Sequence, residues 1–314
     1  MQEAHLRMVV LGVALAVGAT YGQAQTRPEV TPAASATPGV AGEAGTKASW
    51  FTARRVAEGV WSIDDHASDN MYLVEGASRA LLVDTGLGVA KLADFVRTLT
   101  SLPVTAVNTH GHPDHAGGND QFRSVHAHPL EFDAIRAVGT KESRQRTLER
   151  MRQGAPAADM LSVEEAAVLP PAELVPLKEG QFFDLGGRKL EVIEQPGHTP
   201  GEIVLLDAAH RIAFTGDNNN ALVWLFLPTC RPLEVYLESL RKLKKRDGEF
   251  DTILPGHGPP LPKAFLADQI ACVESILDGR CKGEPYQSFA GNALVCRHGS
   301  AAVAFDPGNL RVKK

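Results

Sequence analysis

Residues 108–118 read NTHGHPDHAGG, which sets His110, His112, Asp114 and His115 within six positions, among glycines and a proline. His110 and His112 are two apart, a spacing that in extended backbone points both imidazoles to one side. Pro113 stiffens the turn. Asp114 and His115 are adjacent, so they diverge and are placed to serve a second ion next to the first. Ala116, Gly117 and Gly118 carry little bulk and let the backbone approach a metal closely. Imidazole and carboxylate suit Zn²⁺, and also iron or manganese. A catalytic zinc takes three protein ligands and keeps a position open for water, so this cluster is incomplete by itself.

The missing ligands must come from distant segments. QPGHTPGE (195–202), FTGDNNN (214–220) and LPGHGPP (254–260) offer His198, Asp217 and His257, each in a Gly- or Pro-marked loop directly after an apolar run. VDTG (83–86) adds Asp84 at the end of another such run. Between these points β-like runs alternate with amphipathic helices. Strands are expected over 59–64, 71–76, 80–86, 104–110, 188–197, 201–207, 211–217 and 251–258, with one last strand in the tail at 300–306. Helices are expected over 89–102, 129–138, 141–153, 232–246 and 262–279. Two blocks of β-meander, each followed by helices, suggest two sheets with helices outside, an α+β or layered αββα arrangement. The ligand-type residues recur where strands end, and strand ends facing one edge form a natural site.

The chain has 314 residues, 44% hydrophobic and 22% charged, with a net charge of −5. RKLKKR at 241–246 reads as the solvated face of a helix, and no longer basic cluster appears. Nucleic acid is therefore disfavoured as a substrate, because phosphate binding needs a basic surface. Residues 1–24 read as a signal peptide: Arg7 precedes the apolar run MVVLGVALAVGATYG, and GQA at 22–24 offers a small-residue cleavage site. The run is short for a membrane span. Residues 25–49, rich in Ala, Thr, Pro and Gly, read as a flexible linker. Residues 50–314 are expected to form one folded domain that carries these ligands, with 280–314 a C-terminal extension packed on it. The expected location is periplasmic or secreted, without stable membrane association once the signal is cleaved. Oligomeric state is left open.

Export places the four cysteines where disulfides persist. Cys281 and Cys296 flank a polar segment that closes easily into a loop, which favours a bridge there. Cys272 falls on an apolar helical face, where a buried free thiol belongs, and Cys230 is expected to stay reduced as well. The competing pairing is Cys272 with Cys281. None has zinc-ligand spacing.

From about residue 57 to 260 the sequence resembles the metallo-β-lactamase superfamily: VDTG carries that family's first motif, HGHPDH its metal signature, and His198, Asp217 and His257 its later motifs in order. The resemblance implies a four-layer αββα sandwich with a metal pair, two Zn²⁺ per chain, at one edge. It implies a first ion held by His110, His112 and His198, and a second held by Asp114, His115 and His257. Asp217 would bridge the two, and Asp84 would orient ligands from behind by hydrogen bonds. It implies a hydrolase in which a metal-bound hydroxide attacks an ester, thioester, lactone or related bond of a small molecule, with Asp114 orienting the nucleophile or shuttling a proton.

Two alternatives stand beside this: a β-lactam hydrolase, and an iron-dependent persulfide dioxygenase, which carries a similar motif but binds one iron. Asp217 stands where β-lactamases of the superfamily typically have Cys or Ser. Asn220 stands where quorum-sensing lactonases usually carry Tyr. A glutathione-binding basic and tyrosine set is not evident, which weighs against the thioesterase branch. His66, Asp69 and Asn70 are candidates for the rim of the site. Asn220 also falls near the substrate, and Trp224 and Phe226 for an apolar substrate wall. His128, before Pro129, reads as a helix start rather than a ligand, and His126 with it; His210 and His298 read as surface.

Overall fold

A computed structural model describes residues 49–153 and 158–313. Residues 1–24, expected as a signal peptide, and the expected linker at 25–49 except Ser49 lie outside the described residues. The first half runs β1 (Phe51–Ala57), β2 (Val60–Asp65), β3 (Asn70–Glu75), β4 (Ala80–Val83), α1 (Leu92–Leu99), β5 (Val104–Val107), α2 (Pro113–Ala116), β6 (Ser124–Ala127), α3 (Phe132–Val138), α4 (Lys141–Arg152), α5 (Val163–Val168) and β7 (Glu173–Pro176). Its strands form one sheet in sequence order, antiparallel from β1 to β4 and parallel from β4 to β7. The second half runs β8 (Phe182–Asp184), β9 (Lys189–Glu194), β10 (Ile203–Asp207), β11 (Ile212–Phe214), β12 (Leu222–Leu225), α6 (Leu233–Lys244), β13 (Thr252–Leu254), β14 (Leu261–Pro262), α7 (Phe265–Leu277), β15 (Glu284–Ser288), β16 (Gly291–His298) and β17 (Ala301–Phe305). These strands make a second sheet, β14-β13-β11-β10-β9-β8, and a third, β12-β17-β16-β15.

The layers follow from the period of two along each strand. In β4, Ala80 and Leu82 pack with Leu92, Val96 and Leu148 of α1 and α4, while Leu81 and Val83 turn to the opposite sheet. In β10, Ile203 and Leu205 meet that first sheet, and Val204 and Leu206 meet Tyr236, Leu240 and Leu243 of α6. Strands apolar on both faces must be covered on both faces, which is why β4 and β10 are buried throughout. The result is helix, sheet, sheet, helix: the expected αββα sandwich.

Each strand and helix expected from pattern is present, with ends shifted by a few residues. The tail departs from expectation: it holds a three-stranded meander, β15 to β17, rather than a single strand. Strands β15 and β16 are exposed along much of their length, so their residues lack the apolar alternation that betrays a strand. Register puts Val223, Leu225, Val303, Phe305 and Cys296 on the face covered by α6 and α7. Cys281 and Cys296 are joined, and Cys230 and Cys272 are buried and free. His128 caps the short turn at Pro129, its ring accepting from the Leu130 N–H.

Candidate metal centre

Five loops converge at one edge of the sandwich. They follow β4 (Asp84), β5 (His110 to His115), β9 (His198), β11 (Asp217) and β13 (His257). The Nε2 of His110 lies 3.1 Å from Nδ1 of His112, which lies 2.9 Å from Nε2 of His198. Beside this trio the Nε2 atoms of His115 and His257 are 3.3 Å apart, and Asp114 Oδ2 is 3.5 Å from the latter. Asp217 stands between the groups: Oδ1 is 3.3 Å from His115 Nε2, and Oδ2 is 3.2 Å from His257 Nε2 and 3.5 Å from His198 Nε2. Two triads, His110–His112–His198 and Asp114–His115–His257, therefore each bring three donor atoms within reach of one ion.

The donors fit a metal pair. A tetrahedral zinc with nitrogens at 2.0–2.1 Å sets them about 3.3 Å from each other. Nitrogen lone pairs this close repel unless a cation lies among them. Asp217 Oδ1 is buried and has no hydrogen-bond partner among the described residues, as befits an atom reserved for an ion.

Hydrogen bonds from behind choose which nitrogen each imidazole presents. Asp84 Oδ2 accepts from His115 Nδ1 at 2.9 Å and from the Thr109 hydroxyl at 2.8 Å; its Oδ1 accepts from the Thr109 N–H at 2.7 Å. With its proton committed to Asp84, the Thr109 oxygen accepts from His110 Nδ1 at 3.1 Å. The Trp224 carbonyl accepts from His198 Nδ1 at 2.7 Å. All three rings therefore keep an Nδ1 proton on the far side and turn Nε2, the atom that would bind a metal, toward the site. Asp84 does this from a left-handed backbone conformation, φ +63°, unusual for a residue with a Cβ. Gly256 serves by having none: a Cβ there would collide with Asp217 Oδ1 and His115.

Electrostatics divides the triads. Burial, then the neighbouring His198, pushes His112 down to about 3, and burial with the adjacent His115 and His112 depresses His110. Burial would depress His115 too, but the carboxylates of Asp217, Asp114 and Asp84 outweigh it and raise it. His257 is raised against burial chiefly by Asp217. Burial tends to raise Asp217, yet His257 and His115 hold it well below the carboxylate range. The first triad is thus neutral imidazole ready for a cation, and the histidines of the second sit among the carboxylates of Asp114, Asp217 and Asp84.

Other residues singled out from sequence occupy the surroundings. Asn70 donates through Nδ2 to the carbonyls of Pro255 and Gly258, and Asn220 Oδ1 accepts from the His257 N–H, so both hold the His257 loop. His66 is exposed and stacks on Trp50. Asp69 is buried beside Asp65, and burial then Asp65 raises its carboxyl well above the usual range. Trp224 on β12 and Phe226 just past its end lie together, half-buried. His126 packs edge-on against Phe183, away from the ligands.

Sequence reasoning passed over three supports. Glu131, buried, accepts from Gly111 N at 2.9 Å and Gly201 N at 2.6 Å, clamping the His110–His112 loop to the His198 loop. Glu202 accepts from the N–H groups of Asp217 and Asn218, and Asn218 Oδ1 accepts from the His198 N–H. Glu202 ends the motif QPGHTPGE, so a carboxylate beside the ligand was visible there; Glu131 leaves no local signal.

A family model described as the metallo-beta-lactamase superfamily matches residues 67–257. The acyl-coenzyme A thioesterase MBLAC2 of Gallus gallus is 31% identical over 225 residues, covering 66% of this chain and 80% of that protein. The hydroxyacylglutathione hydrolase GloC of Haemophilus influenzae is 27% identical over 138 residues, 44% of this chain and 60% of that protein. A metallo-beta-lactamase structure from Pontibacter korlensis, 17% identical, shares the fold with a TM-score of 0.51, over 71% of this chain and 99% of its own.

Proposed function

The chain belongs to the metallo-beta-lactamase superfamily, and from that premise we propose that this metal-dependent hydrolase cleaves acyl thioesters of small-molecule carriers, using two metal ions per chain. The observation that carries the reading is the pair of donor triads sharing the single carboxylate of Asp217. The thioester preference rests on relatives named as thioesterases. It revises the weight that the lack of a glutathione-binding set puts against that branch, because a coenzyme A carrier needs no such set.

His110, His112 and His198 would hold one ion; Asp114, His115 and His257 the other; Asp217 would bridge them. Bound there, the ions would supply a water of lowered pKa and Lewis-acid polarisation of a carbonyl. Asp84, through Thr109 and directly, keeps His110 and His115 in the ligating tautomer throughout the cycle. Asp114, its side chain 31% exposed beside His257, turns Oδ2 toward the ion site, and its other oxygen would take the proton of the attacking water and return it to the departing thiolate. Gly256 and the loop tied by Asn70 hold His257 against the exposed side of the site.

The same reading has the chain exported, with residues 1–24 removed and residues 25–314 released to the periplasm or the exterior. The Cys281–Cys296 bridge supports an oxidising destination. N-terminal sequencing of the exported protein should begin at Gln25.

The test is a hydrolysis panel of thioesters, lactones, β-lactams, phosphodiesters and sulfate esters, run beside elemental analysis. Thioester cleavage with close to two metals per chain is expected. One tightly bound iron with O₂-dependent turnover, or faster cleavage of another bond class, overturns it.

A further inference from the structure

We infer that the rings of Trp224, Phe226, Tyr286 and Phe289 form the subsite for the aliphatic acyl chain of the thioester, an inference that rests on the thioesterase reading. Register places Trp224 opposite Ala304 and Tyr286 opposite Ala293, on the face of the third sheet turned away from α6 and α7. Alanines there leave room for rings to lie over the sheet. The Trp224 ring centroid is 5.3 Å from Phe226, 5.2 Å from Phe289 and 6.3 Å from Tyr286, and Phe226 is 6.1 Å from Tyr286. Trp224 Nε1 donates to the Tyr286 hydroxyl at 3.0 Å, which fixes the tilt of the indole.

Two features set this cluster apart from ordinary packing. Phe289 sits at the β15–β16 turn, where polar residues are the rule, and is 58% exposed. Aromatic surface grouped in this way, three rings half-buried and one exposed, marks a binding surface more than a fold requirement. The cluster is also continuous with the metal centre, since the carbonyl of Trp224 itself holds His198 Nδ1 at 2.7 Å. A thioester whose carbonyl lies at the metals must send its acyl chain to one side and its carrier to another. The wall starts at the residue whose carbonyl anchors a ligand and offers π-faces and edges, with the contact geometry that suits methylenes. The Cys281–Cys296 bridge ties β16, the strand paired with the one that carries Tyr286, to the segment just after α7, so the sheet under the wall is held in place.

The experiment has two arms. In the first, kcat/KM is measured for acetyl-, butyryl-, octanoyl- and decanoyl-coenzyme A with the native chain, Phe289→Ala and Phe226→Ala. Native kcat/KM should rise about two- to fourfold per added methylene until the wall is covered, and each variant should flatten that slope. In the second, hexanoate and decanoate are titrated while tryptophan fluorescence is followed, with Trp224→Phe identifying the reporting ring. Decanoate should give saturable quenching, tighter than hexanoate by about tenfold or more, and weakened in Phe289→Ala. Phe289 is exposed enough that its removal leaves the fold intact, which melting curves check. Hydrolysis with no chain-length dependence, and slopes equal in native and variants, overturns the subsite and leaves the thioesterase reading standing. Quenching without cleavage of any thioester does the reverse. A native dimer that Phe289→Ala dissociates would make the wall a subunit interface and overturn the inference.

Discussion

Asp84→Asn isolates the tautomer control that Asp84 exerts on both triads. The substitution keeps the shape of the side chain and turns one acceptor oxygen into a donor. If the amide nitrogen replaces Oδ2, it faces two donors, the Thr109 hydroxyl and His115 Nδ1. The hydroxyl then reverses and His115 shifts its proton to Nε2, the atom that points at His257 and Asp217. If it replaces Oδ1 instead, it meets the Thr109 N–H, which has no alternative. Either arrangement buries an unsatisfied or misprotonated group in a site with Asp84 only 1% exposed, at a cost of about 1–3 kcal/mol. One decade is about 1.4 kcal/mol, and partners behind metal ligands typically govern about 10- to 100-fold in affinity. Zinc titration of chelator-stripped protein should therefore show the weaker of two binding events lowered 10- to 100-fold, with a smaller loss in the other, which depends on Asp84 only through Thr109. Hydrolysis at limiting zinc should fall in parallel and recover partly at high zinc. Two unchanged binding constants in a protein that still folds would refute the account of how His115 is held.

Further outcomes follow from the same geometry. Asp217→Ala should leave the fold intact but lose the second metal and most turnover, since two cations at roughly 3.5 Å are then unscreened; elemental analysis showing both metals retained would misplace the bridge. Glu131→Ala removes acceptors from two buried loop amides and should cost about 2–4 kcal/mol in urea melts, whereas Glu131→Gln, keeping one, should cost less; equal stabilities would argue against the clamp. Reducing Cys281–Cys296, or Cys281→Ser, should cost about 3 kcal/mol while leaving the metal content unchanged, because no cysteine is among the proposed ligands. In chelator-stripped protein, His115 and His257 are raised above 6.5, the stability they contribute is complete below pH 6.5, and it is lost as pH climbs through their folded values. Melting temperature without metal should thus fall as pH rises above 6.5, and a flat or rising profile would contradict the charge pattern around the second triad.

What could be read along the chain is what local chemistry imposes. The H-x-H-x-D-H spacing, the Gly- and Pro-marked loops after apolar runs and the unbroken apolar runs of β4 and β10 each involve residues a few positions apart, so the ligand set, its order and the buried strands were visible in them. Strands β15 and β16 were not, because exposed strands carry no apolar alternation to betray them. The orientation of the ligands was not legible either. His198 is held by a backbone carbonyl 26 residues away, an atom that every residue type possesses, and Glu131 reaches a glycine amide 70 residues on. The aromatic wall likewise joins Trp224 to Tyr286 across 62 residues, through a parallel pairing of β12 with β17 that no short pattern encodes. Residue identity determined which atoms were available to a metal; only the packing of two sheets and their loops decided which lone pairs face it, since that depends on contacts between segments distant in the chain.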